Sequence, residues 1–274
     1  MSVSVIKLPF LIQLLRKSDF PHKKGIMDKL FRSAFTSYSE GWVKVWTGHL
    51  WKIDFRNACH RWMIYDRYAD SGFLKWTEKN ISPDAVIVDS GSNIGQFLPY
   101  YSKIAPKATI LAFEPANELA NWIKECVAKN NLSAEVIAKG LGKEEMKAFL
   151  ADPGDDAVKG LWNEISTDKG EPIIITTLEK ELQQRNILSV DLWKLDVEGY
   201  VIEALTGAGK FLDEHRIRSL YIEMAVKKDN HKRILEFMRS KGYEAFEIKN
   251  NGRIVQLIEV KPYQTDALFL PTSK

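Results

Sequence analysis

From residue 85 onward, short and almost wholly apolar runs alternate with stretches of helical spacing. That alternation narrows the possible folds more than any other feature of the chain. Ala85–Asp89, Thr109–Phe113, Ala134–Ala138, Pro172–Thr176, Asp191–Leu195 and Ser219–Glu223 read as strands. Residues 95–104, 116–130, 199–207 and 229–241 read as helices. Strands covered on both faces must be apolar throughout, and strand–helix alternation builds a parallel sheet. The expectation is an α/β fold with a doubly wound, mostly parallel sheet and helices on both faces. Thr176 with Glu179 fits a capping box at a helix entry. The end of the chain reads as strand Tyr243–Ile248, a turn at Asn250-Asn251-Gly252 into Ile254–Val260, and a last strand Ala267–Leu270.

The first 80 residues break this rhythm. Val5 to Leu15 reads as a docking helix, and Ile26, Met27, Leu30, Phe31, Ala34 and Phe35 mark an amphipathic helix over 22–38. Two β-rich runs around Thr47-Gly48 read as a hairpin, and 58–79 returns to helical spacing. We therefore expect a cap over residues 1–80, helping to choose the acceptor, and a catalytic domain over 81–274. Five of the eight tryptophans fall in residues 42–76, where a core role outweighs an acceptor pocket. Residues 1–80 hold 14 Lys/Arg against 7 Asp/Glu, or +7, and the remainder 25 against 29, or −4. A solvated basic face explains this; a surface for an acidic acceptor, an anionic lipid headgroup or a partner is the sharper alternative. The basic residues form no nucleic-acid stripe, so no nucleic-acid partner is expected. Cys59 and Cys126 form no CxxC, which points to free thiols in a cytoplasmic setting. The histidines lack metal-ligand spacing, so no metal is expected, and no run reaches the ~20 apolar residues of a transmembrane helix.

The strongest chemical signal is Val86-Ile-Val-Asp-Ser-Gly-Ser-Asn-Ile-Gly-Gln96. A buried strand runs into Gly91 and Gly95, where the backbone can turn sharply and approach a ligand. About twenty residues on, the next strand ends in Phe113-Glu114-Pro115, and a carboxylate there can accept hydrogen bonds from a ribose diol. Glu114 could equally cap the following helix, since Pro115 suits a first helical turn. A dinucleotide-binding oxidoreductase remains an alternative, as does a binding protein without catalysis. However, an acid two positions before the first glycine would repel a pyrophosphate. S-adenosyl-L-methionine has no phosphate and carries cationic groups that suit Asp89 and Asn93.

The segment Trp193-Lys-Leu-Asp-Val-Glu-Gly-Tyr-Val-Ile-Glu-Ala-Leu-Thr-Gly-Ala208 closely resembles the signature of the FkbM family of S-adenosylmethionine-dependent methyltransferases. Asp89-Ser-Gly-Ser-Asn-Ile-Gly95 resembles that family's glycine loop, with Ser92 in place of the usual Ala. Phe113-Glu114-Pro115 and Tyr221-Ile-Glu-Met224 also match. The resemblance covers roughly 83–271 and extends to Trp51-Lys-Ile-Asp-Phe-Arg56. It implies a Rossmann-like class I methyltransferase fold, with a seven-stranded sheet whose last strand is antiparallel. It also implies methyl transfer to a hydroxyl oxygen of a small molecule, sugar or glycan. Asp89, Gly91, Ser92, Asn93 and Gly95 would surround the methionine part of the cofactor. Glu114 with Pro115 would hold the ribose, Lys139-Gly140-Leu141 would lie along the adenine, and Asp196 would face the reaction centre.

A hydroxyl is a poor nucleophile until its proton is removed. Asp196 is the candidate catalytic carboxylate, with Glu198 or Glu223 assisting. Such acids would share a proton, gather a divalent cation, or lose one member to Lys194. Proton transfer is the expectation. Glu198 could instead only cap the next helix, Glu223 only pair with Lys194, and Gly199 only make a tight turn.

Overall fold

The computed structural model describes residues 5–18, 20–66, 71–151, 165–166, 169–197, 199–224, 228–259 and 266–272. Glu198, and Tyr68 and Val260 from the expected helix and strand, lie outside the described residues.

The chain opens with strand β1 (Val5–Ile6), helix α1 (Phe10–Leu15) and helix α2 (Lys23–Phe31), which tightens into a 3-10 turn over Arg32–Phe35. The hairpin β2 (Glu40–Lys44) and β3 (Leu50–Asp54) follows, then α3 (Ala58–Tyr65) and α4 (Ser71–Asn80). Next come β4 (Val86–Ser90), α5 (Leu98–Ile104), β5 (Thr109–Phe113), α6 (Asn117–Asn130) and β6 (Ala134–Ile137). A side sheet is made from β7 (Gly140–Leu141), β8 (Met146–Leu150), β9 (Ile165–Ser166) and β10 (Glu171–Thr176). The rest is α7 (Leu178–Gln184), β11 (Leu192–Leu195), α8 (Val201–Thr206), α9 (Lys210–Asp213), β12 (Leu220–Glu223), α10 (Lys228–Ser240), β13 (Tyr243–Ile248), β14 (Ile254–Gln256) and β15 (Asp266–Pro271).

The main sheet has the order β14-β13-β15-β12-β11-β4-β5-β6. β4 is parallel to β5 and β11, while β15 is antiparallel to both β12 and β13. The chain lays strands outward on one side of β4, then returns to lay β11 and β12 on the other. The carboxyl ends of β4 and β11 therefore form the switch point where such sheets bind ligands. This is the Rossmann-like class I methyltransferase arrangement, with an eighth strand, β14, added at the edge by the Asn250-Asn251-Gly252 turn.

The continuous apolar runs are explained by cover on both faces. Ile87, Ile110, Tyr221 and Leu268 pack into one buried cluster, and their strand neighbours Val88, Leu111, Ile222 and Phe269 pack into another. The first cluster also takes in Ile12, Met27, Phe35, Val43, Trp51, Ile53, Ile64 and Phe73. The N-terminal elements thus cover one sheet face and share its core. Trp42, Trp46 and Trp62 pack against the same cluster, in line with a core role for these aromatics.

Several local expectations change. Val5–Ile6 is a strand, parallel to β2, and only Phe10–Leu15 of that run is helical. The helical stretch expected over 58–79 is made of two helices, α3 and α4. β10 does not join the main sheet: it pairs antiparallel with β8, and Ile174 faces solvent. Alternating burial of this kind marks a half-covered strand, not a central parallel one. The helix cap is Thr177, whose hydroxyl accepts from the Lys180 amide, whereas the Thr176 hydroxyl donates to Glu181. Among the described residues no helix is long and apolar enough to cross a membrane.

Candidate functional site

The loop after β4 is tied down at several points. The amides of Gly91 and Ser92 both donate to the Phe113 carbonyl at 3.0 Å, and the Ser92 hydroxyl donates back to the Asp89 carbonyl at 2.9 Å. The Asp196 amide donates to the Ser90 carbonyl, stitching the end of β11 to the same loop. Gly91 has φ +75°, and a Cβ there would overlap the Asp196 carbonyl oxygen. Its glycine is fixed twice, by conformation and by space. Gly199 also has positive φ, at +79°, but a Cβ there would meet nothing within 4 Å. Gly95 is crowded from another direction, since its Cβ would lie 2.9 Å from Trp51 Cζ2. Trp51 Nε1 donates to the Ile94 carbonyl at 2.8 Å, so the N-terminal hairpin braces the glycine loop.

Asp89 is fully buried, and neither carboxylate oxygen has a hydrogen-bond partner. Burial raises its carboxyl to about 6, opposed by the Lys194 charge and reinforced by Asp196. The neighbouring strand carries Lys194 and Asp196. Lys194 Nζ donates to Asp196 Oδ2 at 2.7 Å and sits 4.8 Å from the Phe97 ring centroid. Burial pushes Asp196 up, but the Lys194 charge, with hydrogen bonds from Glu223 and Lys194, outweighs it and holds the carboxyl below its ordinary value. Burial likewise disfavours the Lys194 ammonium, and Asp196 and Asp89 more than compensate. The structure therefore brings Asp89, Lys194, Asp196 and Glu223 together. The lysine bridge runs to Asp196, and Glu223 meets Asp196 carboxyl to carboxyl.

On the other side of the loop, Glu114 Oε2 accepts from the Asn93 amide at 2.8 Å and Oε1 from the Ala116 amide at 3.0 Å. Burial pushes this carboxyl up to about 7 against those two donors. Pro115 lies beside Gly140, where a Cβ would be 3.6 Å from Pro115 Cβ, and Leu141 is buried next to them. Lys139 turns away, its ammonium donating to Glu181 at 2.7 Å. Among the described residues no group of three or more His, Cys, Asp or Glu is placed to hold a metal.

Three participants are not legible as such in the sequence. Trp51 heads a run that resembles the family, but that resemblance does not show that its indole braces the glycine loop. Tyr101, on α5, has a buried hydroxyl without a partner in the field of Asp89 and Asp196, and its pKa is raised by burial first and by Asp89 next. Gln96 Oε1 is also buried and unpartnered. Helical spacing predicts that α5 buries a face, not which polar atoms that face carries.

The unpaired Asp89 carboxylate has a consequence for stability. A carboxyl raised from 3.8 to about 6 by burial costs the folded chain on the order of 3 kcal/mol at pH 8. The folded state holds the extra proton between those values, so the cost appears as pH rises through about 6 and is absent near pH 4. His60, lowered to about 4 by burial, acts with the opposite sign over much of that window. The clean observable is therefore a difference. Asp89→Asn should melt higher than the wild type at pH 8, and the gap should narrow sharply at pH 5. A gap of equal size at both values would show that Asp89 is not an isolated buried charge.

The methyltransferase FkbM domain model matches residues 89–245, which contain every one of these carboxylates. Methyltransferase 1 of Beauveria bassiana is 30% identical over 183 residues, covering 58% of this chain and 72% of that protein. Methyltransferase sdnD of Sordaria araneosa is 25% identical over 199 residues, covering 60% and 76%. Among solved structures, TrmK of M. capricolum in complex with S-adenosyl-homocysteine aligns over 72% of this chain and 66% of its own, with TM-score 0.40 and 12% identity. With more than half of its length matched by the family model, and the sheet order and glycine loop in place, the chain belongs to the methyltransferase FkbM family, whose methyl donor is S-adenosyl-L-methionine.

Proposed function

We propose that the chain transfers the methyl group of S-adenosyl-L-methionine to a hydroxyl oxygen of a small molecule, sugar or glycan. The observation that carries this reading is the ionised Asp196, held between the Lys194 ammonium and the Glu223 carboxyl at the switch point. A neutral amine attacks without a base, whereas a hydroxyl must lose its proton as the new C–O bond forms. Asp196 is available to accept that proton at any pH near neutral. Lys194 keeps it ionised, and the hydrogen bond from Glu223 adds to that stabilisation. Positioning supplies much of the remaining acceleration, because methyl transfer is an in-line displacement.

The residues present fit the cofactor. Asp89 has two unpartnered oxygens, the counterpart that the ammonium of the amino-acid tail needs. Gly91 and Gly95 let the loop pass close to that tail, with Ser92 and Asn93 beside them. Each Glu114 oxygen accepts one amide and keeps a second acceptor site for a ribose hydroxyl. Pro115, Gly140 and Leu141 would flank the adenine. The bound cofactor supplies an electrophilic methyl group. The first 80 residues, braced on the loop by Trp51, would bound the acceptor side.

Calorimetry tests the cofactor half of this reading. Glu114→Ala should weaken S-adenosyl-L-methionine binding by about 1.5–3 kcal/mol, the range for hydrogen bonds to a charged group. Unchanged affinity in a normally folded variant would remove Glu114 from the site.

A further inference from the structure

Apolar exposure is concentrated at the start of the chain. Seven of the eleven exposed large hydrophobic side chains among the described residues lie between Val5 and Tyr38. On α1, Ile12 is buried, while Phe10, Leu11 and Leu14 fall together on the outer side and are 75%, 55% and 51% exposed. On α2, Lys23 and Met27 are buried, and Ile26 and Leu30, one turn apart, face outward. The two helices are tied together, since Lys23 Nζ donates to the Arg16 carbonyl just after α1 at 2.9 Å, and both pack on α3. Single exposed leucines are ordinary, but a group on two adjoining helices marks a surface that is covered in use.

Among the described residues of 5–38, every exposed charged side chain is a cation. Lys7, Lys17, Lys29 and Arg32 are exposed on the same segments. Asp28, the acid described within residues 5–38, is bound to Arg61 at 2.7 Å. We propose that this face docks the chain onto an anionic lipid bilayer. Phe10, Leu11 and Leu14 would enter the boundary between headgroups and acyl chains, and the four cations would meet the anionic headgroups. A second copy of the chain would bring two basic rims together, which repels. An acidic, apolar interface of dynamic lipids satisfies both the hydrophobic and the cationic components, and outward-projecting side chains need no preformed groove to enter it. Each cation near such a surface contributes about fivefold to partitioning. The proposal does not depend on which acceptor is methylated, because its readout is partitioning and not turnover.

The test is co-sedimentation of the full chain with vesicles. One set is phosphatidylcholine alone; in the other, phosphatidylserine makes up about a third of the lipid. Binding should be at least about tenfold stronger to the anionic set at low salt and should fall steeply by about 0.5 M salt. Phe10→Ser/Leu11→Ser/Leu14→Ser should lower binding to anionic vesicles by about tenfold or more, and Lys29→Glu/Arg32→Glu should do the same. Both variants alter exposed side chains and should melt and bind cofactor as the wild type does. If the serine variant melts early, the charge variant decides alone. Equal binding to both vesicle sets, binding to neither, or wild-type partitioning by the charge variant would overturn the proposal. So would a concentration-dependent dimer in light scattering that the serine variant abolishes, since a second copy would then cover the face.

Discussion

Asp196→Asn should lower turnover by about 10²–10⁴-fold, the usual span for loss of a general base, with S-adenosyl-L-methionine affinity little changed. Asparagine keeps the shape of the side chain and still accepts from Lys194 Nζ, which donates at 2.7 Å in the wild type. It cannot take up a proton. In the wild type Asp196 is held below its ordinary value, so it is deprotonated throughout the neutral range. Its ionisation should therefore produce no fall in kcat between pH 6 and pH 8. Near-normal turnover in Asp196→Asn, measured under saturating cofactor and acceptor, would refute a proton-accepting role. A chelator provides the second arm. The Lys194 ammonium already occupies a cation position on Asp196, so activity should survive chelation. Loss restored by magnesium would transfer the role of the carboxylates to metal binding.

Gly91→Ala should be among the most damaging single-methyl additions in the domain. The substitution forces an alanine to φ +75° and drives its Cβ into the Asp196 carbonyl oxygen, at the junction of β4 and β11. The conformational term alone is about 1–2 kcal/mol. The overlap cannot be relieved by a rotamer change because the obstructing atom is backbone, and moving it shifts the carboxylate site itself. We expect a loss of at least about 3 kcal/mol in unfolding free energy, with cofactor binding abolished in whatever remains folded. Gly199→Ala is the control. Its φ of +79° is close to that of Gly91 and the space around the Cβ is open, so it should cost only the conformational term. Denaturant melts of the two variants should differ accordingly, and similar midpoints would mean that the close approach at Gly91 is not a constraint.

Much of the fold was legible because burial on both faces leaves a direct trace. Ile87, Ile110, Leu192 and Ile222 lie in runs too apolar and too short for anything but covered strands, and all four runs are in the main sheet. The glycine loop and Glu114 were legible for a similar reason, since their residue types report backbone geometry and charge. β10 was misplaced because Pro172–Thr176 is apolar enough to imitate a central strand. Only its partner β8, a run with Lys147 in its middle, reveals the side sheet. The helix cap slipped by one residue because Thr176 and Thr177 are adjacent, and only the donor geometry distinguishes them. Within the site, Lys194 and Asp196 were visible as neighbours on one side of a strand, but spacing could not say whether the lysine would bridge to Asp196 or to Glu223. Long-range contacts were invisible: Trp51 reaches Ile94 across 43 residues, and the resemblance of the run from Trp51 to Arg56 does not say what the indole touches.

Methyl transfer at this site should run from sulfur to a hydroxyl oxygen. It is tested most directly by incubating the protein with S-adenosyl-L-methionine carrying a carbon-13 methyl and with fractionated hydroxylated metabolites and glycans. The expected product is labelled, with its methyl carbon bonded to oxygen, and is formed by the wild type and lost in Asp196→Asn. A product methylated on nitrogen, including a nucleic-acid base, or one formed equally well by Asp196→Asn, would contradict it.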